Sequence, residues 1–285
     1  MKKIISLLLV VAMLVGACCL TTGCKKKNEE IIVQTNAYFA PFEYYVGTEI
    51  KGVDVDIMNK VGEKLDKKVT FKNVDFGVII DNVSAGKVCD VGAAGLTITD
   101  ERKEKVDFSI PYYTSVQYVI YAEGSDIATK TGADGDYIVW EALKGKTIGT
   151  QTDTTGWIYV NGEITGEDFD GLLKDSGAEL KNFDNAQLAA DAIGGKKVDV
   201  VVIDELPAQY IVAKNSGLKC LPLYYAGETD AEDAPVEEQY AICVTKGNDD
   251  LLDAINDVLK EMLKEDDNGE TEIEKLVMKH MGLDK

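Results

Sequence analysis

The sequence predicts an α/β fold built from two lobes of similar construction. Apolar strand-like segments alternate with amphipathic helical segments along most of the chain, which is typical of α/β proteins. A short motif also occurs twice, since residues 86–91 (GKVCDV) resemble residues 195–200 (GKKVDV). Each copy follows an amphipathic helix and opens an apolar strand, so we expect two equivalent units. Chance similarity over so short a match is the alternative.

The first lobe is predicted from its apolar periodicity. Apolar residues at helical spacing indicate helices, and short β-branched runs indicate strands. The predicted strands are 31–33, 69–71 and 88–92, and the predicted helices are 54–65 and 77–83. Thr99 is the expected N-cap of another helix, because Asp100 and Glu101 follow it in the first turn, where the helix dipole favours anions.

The same pattern restarts after residue 117. The predicted elements are strands at 117–121, 146–149 and 198–203, helices at 186–193 and 251–263, and a polar surface insertion at 124–137. We therefore place the first lobe at 31–116 plus 236–285, and the second lobe at 117–235.

The N-terminus has the pattern of a lipoprotein signal peptide over residues 1–23. Positive Lys2 and Lys3 precede an apolar run at 4–15, which is too short for the roughly 20 residues of a membrane span. We expect cleavage before Cys24, lipidation of its thiol and a charged tether at 24–30. Cys18 is the alternative, because aliphatic Val15 fits the usual pattern three residues before it; a plain secretory signal is another. No later segment is long and apolar enough to span a membrane, so the predicted location is the extracytoplasmic face of the cell membrane, held by lipid.

Composition excludes several classes of function. Fifty acidic residues against 30 basic ones give a formal charge of −20, which argues against binding nucleic acid. His280 is the single histidine, so most zinc sites and histidine-dependent catalytic triads are excluded. We expect no metal and no cofactor. Cys89, Cys220 and Cys243 are predicted to be free, mostly buried thiols, with one bridged pair as the alternative.

The repeat predicts where a ligand would bind. Gly95 lies five residues after Asp90, and Asp204 lies five residues after Asp199, so both fall at the carboxyl ends of equivalent strands. Ligands of open α/β sheets bind at such strand ends. The two lobes facing one another would enclose a small solute.

Two charged residues are candidates for binding a zwitterion. Arg102 lies near a predicted strand-to-helix junction with Thr97, and a guanidinium grips a carboxylate through two hydrogen bonds. Asp204 ends an apolar strand, where a buried carboxylate needs a cation such as an α-ammonium group. The alternatives are a solvated helix residue for Arg102 and helix capping for Asp204.

Other polar and aromatic residues are candidates for the same pocket. The segment 151–156 (QTDTTG) follows a predicted strand and offers hydroxyl and amide groups, although a plain polar turn is the alternative. Phe39, Phe42 and Phe76 lie in loops after strands and could wall the pocket.

In the order and spacing of several segments, the chain resembles the polar amino-acid-binding proteins of bacterial ABC transporters, solute-binding protein family 3. The segments that carry the resemblance are 35–43 (TNAYFAPFE), 52–57 (GVDVDI), 86–90 (GKVCD), 97–102 (TITDER), 106–109 (VDFS) and 198–204 (VDVVVID). The resemblance runs from about residue 32 to residue 282. It implies a type II periplasmic-binding-protein-like fold, with hinged lobes that close on a ligand in the cleft between them.

The resemblance also implies roles for individual residues. Arg102 would bind the α-carboxylate, helped by Thr97 and by backbone N–H groups near Thr155. Asp204 would bind the α-ammonium, with the Gly95 carbonyl and the Thr97 hydroxyl. The complete set of expected ligand-binding residues is Asn36, Phe39, Phe76, Gly95, Thr97, Arg102, Gln151, Thr154, Thr155 and Asp204. The implied partners are an L-α-amino acid and the permease subunits of an ABC importer, with the protein itself a monomer.

Two departures from the family pattern affect this expectation. Asp153 stands where glycine is common in the turn before Thr154, which bears on the backbone donors there. Asn36 stands where many relatives carry aspartate, which favours a polar, neutral ligand side chain over a cationic one. The alternative functions are a cyclohexadienyl dehydratase-like enzyme on the same fold and a ligand-sensing domain. We expect a binding protein without catalytic residues, since the pocket shows no second acid placed to work with Asp204.

Overall fold

The structure, a computed structural model, describes residues 30–167 and 169–283. The predicted signal peptide, Cys18, Cys24 and most of the tether lie outside the described residues. Among the helices of the described ranges, none combines the length and the apolar character needed to cross a bilayer.

The first part of the chain forms short strands around three helices. Its strands are β1 (Glu30–Thr35), β2 (Tyr38–Phe39), β3 (Glu43–Val46), β4 (Glu49–Lys51), β5 (Lys68–Asn73), β6 (Val91–Gly92) and β7 (Val106–Phe108). Its helices are α1 (Val53–Leu65), α2 (Ile79–Ala85), preceded by a 3-10 turn at Phe76–Val78, and α3 (Asp100–Lys105). Thr99 caps α3 as predicted, because its hydroxyl accepts a hydrogen bond from the Arg102 N–H at 3.1 Å.

The rest of the chain forms the second lobe and then returns to the first. Its strands are β8 (Tyr113–Ala122), β9 (Lys130–Gly132), β10 (Gly135–Val139), β11 (Thr147–Gln151), β12 (Glu179–Phe183), β13 (Val200–Asp204), β14 (Leu218–Tyr225), β15 (Ala234–Pro235), β16 (Glu237–Tyr240) and β17 (Cys243–Thr245). Its helices are α4 (Thr155–Thr165), α5 (Ala186–Gly194), α6 (Glu205–Lys214), α7 (Asp249–Met262) and α8 (Glu272–Met281).

Both lobes have the same arrangement of strands. The first sheet has the order β5-β1-β6-β17-β7, and the second contains the order β12-β11-β13-β8-β14. In each, the first three strands are parallel and the fourth runs antiparallel to them. The carboxyl ends of the parallel strands therefore present equivalent edges in the two lobes.

The two copies of the sequence motif make equivalent contacts. A carboxylate oxygen of Asp90 accepts a hydrogen bond from the Ile32 N–H at 2.8 Å, and one of Asp199 accepts from the Thr147 N–H at 2.7 Å. Ile32 lies in β1 and Thr147 in β11, the middle strands of the two parallel trios. The expectation of two equivalent units is confirmed, because the motif fixes the same strand pair in each.

Two paired strands carry the chain between the lobes. Tyr113 to Val116 of β8 pair antiparallel with Glu237 to Tyr240 of β16. The boundaries placed at 116/117 and 235/236 thus fall within or beside this ladder. The prediction that the strand begins at 117 is wrong, because residues 113–116 already pair with β16.

Aromatic rings pack together where the chain crosses between the two lobes. The Phe42 ring lies 5.0 Å from Tyr240 and 5.2 Å from Tyr113, in edge-to-face contacts that aromatic pairs favour. Phe42 is fully buried in this cluster, so it belongs to the core beneath the cleft rather than to the wall of a pocket.

Three other predicted elements differ from the structure. The strand predicted at 88–92 is only Val91–Gly92, which pair with Val33 and Gln34 of β1. The helix predicted at 77–83 is a 3-10 turn followed by α2. The insertion at 124–137 contains β9 and the start of β10, and β10 pairs with β14 at the edge of the second sheet.

Candidate functional site

A pocket lies in the cleft between the lobes, at the carboxyl ends of the parallel strands. It is lined by Asn36, Phe39, Phe76, Gly95, Thr97, Gln151, Thr154, Thr155 and Asp204. Nine of the ten ligand-binding residues expected from the sequence therefore share one pocket. The first lobe supplies residues up to Thr97, and the second supplies the others. A direct contact joins the two lobes, since the side-chain nitrogen Nε2 of Gln151 donates a hydrogen bond to the side-chain oxygen Oδ1 of Asn36 at 3.0 Å.

Arg102, the tenth expected residue, lies beside this pocket rather than in its lining. Its guanidinium donates to the Thr97 carbonyl at 2.8 Å and to the Asp153 carbonyl at 3.2 Å, so it spans both lobes. It also lies over the Phe76 ring, 5.4 Å from its centre. A neighbouring cavity is lined in part by Arg102, Phe76, Asp153 and Trp157. The guanidinium is thus held against the rim of the pocket by one residue from each side.

Arg102 is the buried cation of the site. Burial lowers the pKa of its guanidinium, while the negative charges of Glu238 and Asp204 act in the opposite sense. It forms no salt bridge with another described residue. Five N–H donors on a buried cation call for more acceptors than two carbonyls provide.

The turn that holds Arg102 explains one departure from the family pattern. Asp153 has a φ of 64°, in the left-handed region that glycine favours and that aspartate tolerates. The turn thus keeps the backbone shape that the usual glycine would adopt. The Thr154 hydroxyl then accepts from the Trp157 N–H at 3.3 Å and caps α4, whose first residue is Thr155.

Asp204 is the buried carboxyl group of the pocket. It occupies the N-cap position of α6, but its side chain makes no capping hydrogen bond, so the capping alternative is excluded. Burial, together with the nearby charge of Glu238, raises the pKa of Asp204 well above its usual range. One carboxylate oxygen accepts from the amide nitrogen of Gln117. A cation in the pocket would lower this pKa again.

Glu238 and Gln117 are site residues that the sequence reasoning missed. Glu238 contradicts the expectation that no second acid lies close to Asp204, because one Gln117 nitrogen contacts both carboxyl groups. Glu238 lies on β16 and is 5% exposed. Its Oε2 accepts from the Thr97 hydroxyl at 2.5 Å and from the Thr155 hydroxyl at 2.6 Å. Its Oε1 accepts from the same Gln117 nitrogen that contacts Asp204. The signal in the sequence was alternation, because Val236, Glu238 and Tyr240 occupy the buried positions of a strand and only one of them is charged.

A second pair of buried acids lies behind the pocket. An Asp54 oxygen accepts from the Gly95 N–H at 3.0 Å, and the other accepts from the Tyr112 hydroxyl at 2.5 Å. Burial raises the pKa of Asp54 to about 6 despite these bonds. Burial and the Asp54 charge raise the pKa of Glu43 well above its usual range. Asp54 thus holds the Gly95 peptide with its N–H turned toward the carboxylate.

The remaining lining is uncharged. Asn36 donates through its amide nitrogen to the Val74 carbonyl at 2.7 Å, which leaves its oxygen facing Gln151. Phe39 and Phe76 contribute apolar surface. Nowhere in the described ranges do three or more His, Cys, Asp or Glu side chains cluster in a way that could hold a metal ion. The pocket offers a ligand a titratable group, hydrogen-bonding partners and apolar surface.

The three cysteines of the described residues, Cys89, Cys220 and Cys243, are free. Cys89 and Cys243 are buried, and Cys220 is partly exposed. The expectation of free thiols is confirmed, and the alternative of a bridged pair is excluded.

The chain is similar to known proteins in sequence. The family described as bacterial extracellular solute-binding proteins, family 3, matches residues 31–282. The arginine-binding extracellular protein ArtP of Bacillus subtilis (strain 168) is 28% identical over 244 residues, which cover 86% of this chain and 84% of the relative.

Solved structures show the same fold. An ancestral arginine-binding protein bound to arginine has a TM-score of 0.70 and 34% identity, over 88% of this chain and 97% of that one. The substrate-binding protein of an amino acid ABC transporter has a TM-score of 0.69 and 31% identity, over 88% and 98%.

These comparisons agree with the architecture described above. The fold is the predicted two-lobed, type II periplasmic-binding-protein-like α/β fold. The relatives are named as binding proteins, in agreement with the expectation that the chain is not an enzyme. The chain belongs to the bacterial extracellular solute-binding proteins, family 3.

Proposed function

We propose that the protein captures an L-α-amino acid with a polar, neutral side chain and delivers it to an ABC importer. One observation carries the choice of an amino acid: a buried cation, Arg102, lies at the rim of the pocket, and a buried carboxyl group, that of Asp204, lines the pocket from the opposite lobe. Neither forms a salt bridge with another described residue. A zwitterion supplies the two opposite charges that they lack.

Each end of the zwitterion has a defined set of partners. The guanidinium of Arg102 binds the α-carboxylate through paired hydrogen bonds, supported by backbone N–H groups at the start of α4 near Thr154 and Thr155. The carboxylate of Asp204 binds the α-ammonium together with the Gly95 carbonyl. Lobe closure follows ligand capture, because only the closed form offers Arg102 and Asp204 to one ligand at the same time.

The choice of a neutral side chain rests on the uncharged part of the pocket. Asp204 is the one ionisable residue that lines it, and it is engaged by the α-ammonium in this proposal. The amides of Asn36 and Gln151 then face the ligand side chain, and Phe39 and Phe76 flank its aliphatic part. A neutral amide or hydroxyl group matches those partners. Relatives are named for arginine, so L-arginine is the competing ligand in any test.

The membrane association is also a proposal. Cys24 carries a lipid that holds the monomeric protein at the extracytoplasmic face, near the permease subunits. The pattern of the first 24 residues and the likeness to a transporter's binding protein support this arrangement. Mass spectrometry of the mature N-terminal peptide tests it. Lipid on Cys24, retained in Cys18→Ala and lost in Cys24→Ala, is the expected result, and lipid on Cys18 would contradict it.

Thermal unfolding against the common L-amino acids plus cystine tests the function. The soluble mature chain is refolded free of ligand before the screen. A ligand at about 100 times its Kd adds about 2.7 kcal/mol of stability, which raises the Tm clearly. We expect the largest shifts with neutral polar amino acids, above all L-glutamine and L-asparagine.

Matched variants connect the shift to the site. Arg102→Ala and Asp204→Asn should abolish it, whereas Lys103→Ala, on the exposed face of the same helix, should leave it unchanged. The Tm of each ligand-free variant and its circular dichroism spectrum establish that it folds. Shifts with no amino acid would refute the function, and a larger shift with L-arginine would refute the choice of side chain.

A further inference from the structure

Glu238 joins hydroxyl groups from both lobes at the pocket. Thr97 comes from the first lobe and Thr155 from the second, and both hydroxyls donate to the same Glu238 oxygen, at 2.5 and 2.6 Å. Glu238 itself lies on β16, one of the two strands that connect the lobes. Its carboxylate is therefore the point where the two halves of the pocket meet.

The hydroxyl protons of Thr97 and Thr155 are both used within this cluster. A threonine hydroxyl has one proton to donate and two lone pairs, whereas an ionised carboxylate accepts only. Both hydroxyl protons point to Glu238, so Thr97 and Thr155 keep only lone pairs for any other partner. Their oxygens lie 3.3 Å apart, close enough for one donor from a ligand to approach both.

The N–H donors of the Gln117 amide are also used within this cluster. Its nitrogen contacts one oxygen of Asp204 and one of Glu238, which uses both of its N–H donors. Asp204 can only accept when ionised. Once an ammonium ionises Asp204, the groups left free toward the pocket are therefore acceptors: the carboxylate of Asp204 and the hydroxyl oxygens of Thr97 and Thr155.

We propose that Glu238 is a positioning residue that makes the α-ammonium subsite accept hydrogen bonds only, by holding the protons of the Thr97 and Thr155 hydroxyls. The inference rests on the proposed binding of an amino acid. A primary ammonium brings three donors and no acceptor, which suits this subsite. An α-hydroxyl group brings one donor in place of three and no positive charge, and its lone pairs face those of the threonines. The subsite thus selects amino acids against 2-hydroxy acids of the same side chain.

The role of Thr97 then differs from the one expected from the sequence. The Thr97 hydroxyl has no proton left for the ligand's α-carboxylate, so it contributes to ammonium binding alone. Sites that pair every polar group with its ligand reject analogues that leave a group unpaired by about 10⁴-fold. We expect discrimination of about that size between an L-amino acid and its 2-hydroxy analogue.

The test compares Glu238→Gln with Glu237→Gln, an exposed position on the same strand. Calorimetry measures Kd for L-glutamine, for L-arginine and for the (S)-2-hydroxy analogue of each. A glutamine at 238 donates to one threonine and frees its proton. We expect the ratio of Kd values, hydroxy acid over amino acid, to fall at least tenfold in Glu238→Gln and to stay within about twofold of wild type in Glu237→Gln. An unchanged ratio in Glu238→Gln, with amino-acid binding retained, would overturn the inference and leave the proposed function standing.

A second variant serves if Glu238→Gln does not fold. Thr155→Val removes one acceptor and keeps the shape of the side chain. We expect it to weaken binding of the amino acid at least tenfold while changing the hydroxy acid less than about threefold. Equal losses for both ligands would overturn the inference, because they would place the hydroxyl on the shared carboxylate. A thermal screen in which no L-amino acid raises the Tm would remove the proposed function and this inference together.

Discussion

The buried Asp54 predicts an unusual dependence of stability on pH. The side chain is 1% exposed, and burial raises its pKa from 3.8 to about 6 in the folded protein. A carboxyl whose pKa rises on folding stabilises the fold when it is protonated. That stability is fully present below a pH of about 3.8 and is lost as the pH rises through about 6. At 1.36 kcal/mol per pKa unit, a rise from 3.8 to about 6 corresponds to about 3 kcal/mol.

Asp54→Asn removes this titration and keeps the size of the side chain. We expect the free energy of unfolding of the wild type, minus that of the variant, to fall by about 2.4 kcal/mol between a pH of about 4 and about 7. Urea unfolding at a series of pH values measures this difference. The Gly95 N–H and the Tyr112 hydroxyl keep a polar neighbour in the variant, so it should still fold.

Asp56 provides the matched control on the same helix. Its partial burial acts to raise its pKa, but hydrogen bonds from His280 and Lys279 outweigh this and lower it. Its contribution is therefore present above its ordinary pKa and lost as the pH falls, so Asp56→Asn should show the opposite sign. A difference that does not vary with pH in Asp54→Asn, or that rises with pH, would refute the reasoning.

Two further predictions concern the motif copies and the pocket. Asp90→Ala and Asp199→Ala each remove the carboxylate that accepts a hydrogen bond from a strand N–H. Each variant should therefore lower the free energy of unfolding, measured in urea titrations, by about 1.5–3 kcal/mol. A loss of stability in only one of the two variants would contradict the equivalence of the two motif copies. Because burial raises the pKa of Asp204 and an ammonium would lower it, amino-acid binding should release protons. Binding enthalpies of the wild type should then vary with the ionisation enthalpy of the buffer, and identical enthalpies in all buffers would argue against this.

Much of the fold was predictable because it depends on local pattern. Helix α1 buries Ile57, Met58 and Val61 at helical spacing, so its apolar face is visible in the sequence. The motif copies at Asp90 and Asp199 indicated the two-lobed arrangement, because each aspartate accepts a hydrogen bond from the N–H of the neighbouring parallel strand. The pocket followed from these, since equivalent strand ends must face one another if the lobes do.

What could not be predicted depends on partners far away in the chain. The start of β8 at Tyr113 is set by pairing with β16, more than a hundred residues later, and no local pattern signals that. Alternation marks Glu238 as an inward-facing acid, but its contacts with Thr97 and Thr155 depend on the fold. The position of Arg102 beside the pocket, rather than in its lining, depends on the Asp153 carbonyl of the other lobe.

The place of β17 in the first sheet has a consequence for folding during synthesis. This strand lies between β6 and β7, yet it is made after the whole second lobe. The second lobe is continuous and can form its sheet as soon as it leaves the ribosome, whereas the first must keep a gap for a late strand. The first lobe therefore cannot complete its sheet until the C-terminal segment has been synthesised. The second lobe can fold before it, which reverses the usual order in which domains fold during synthesis.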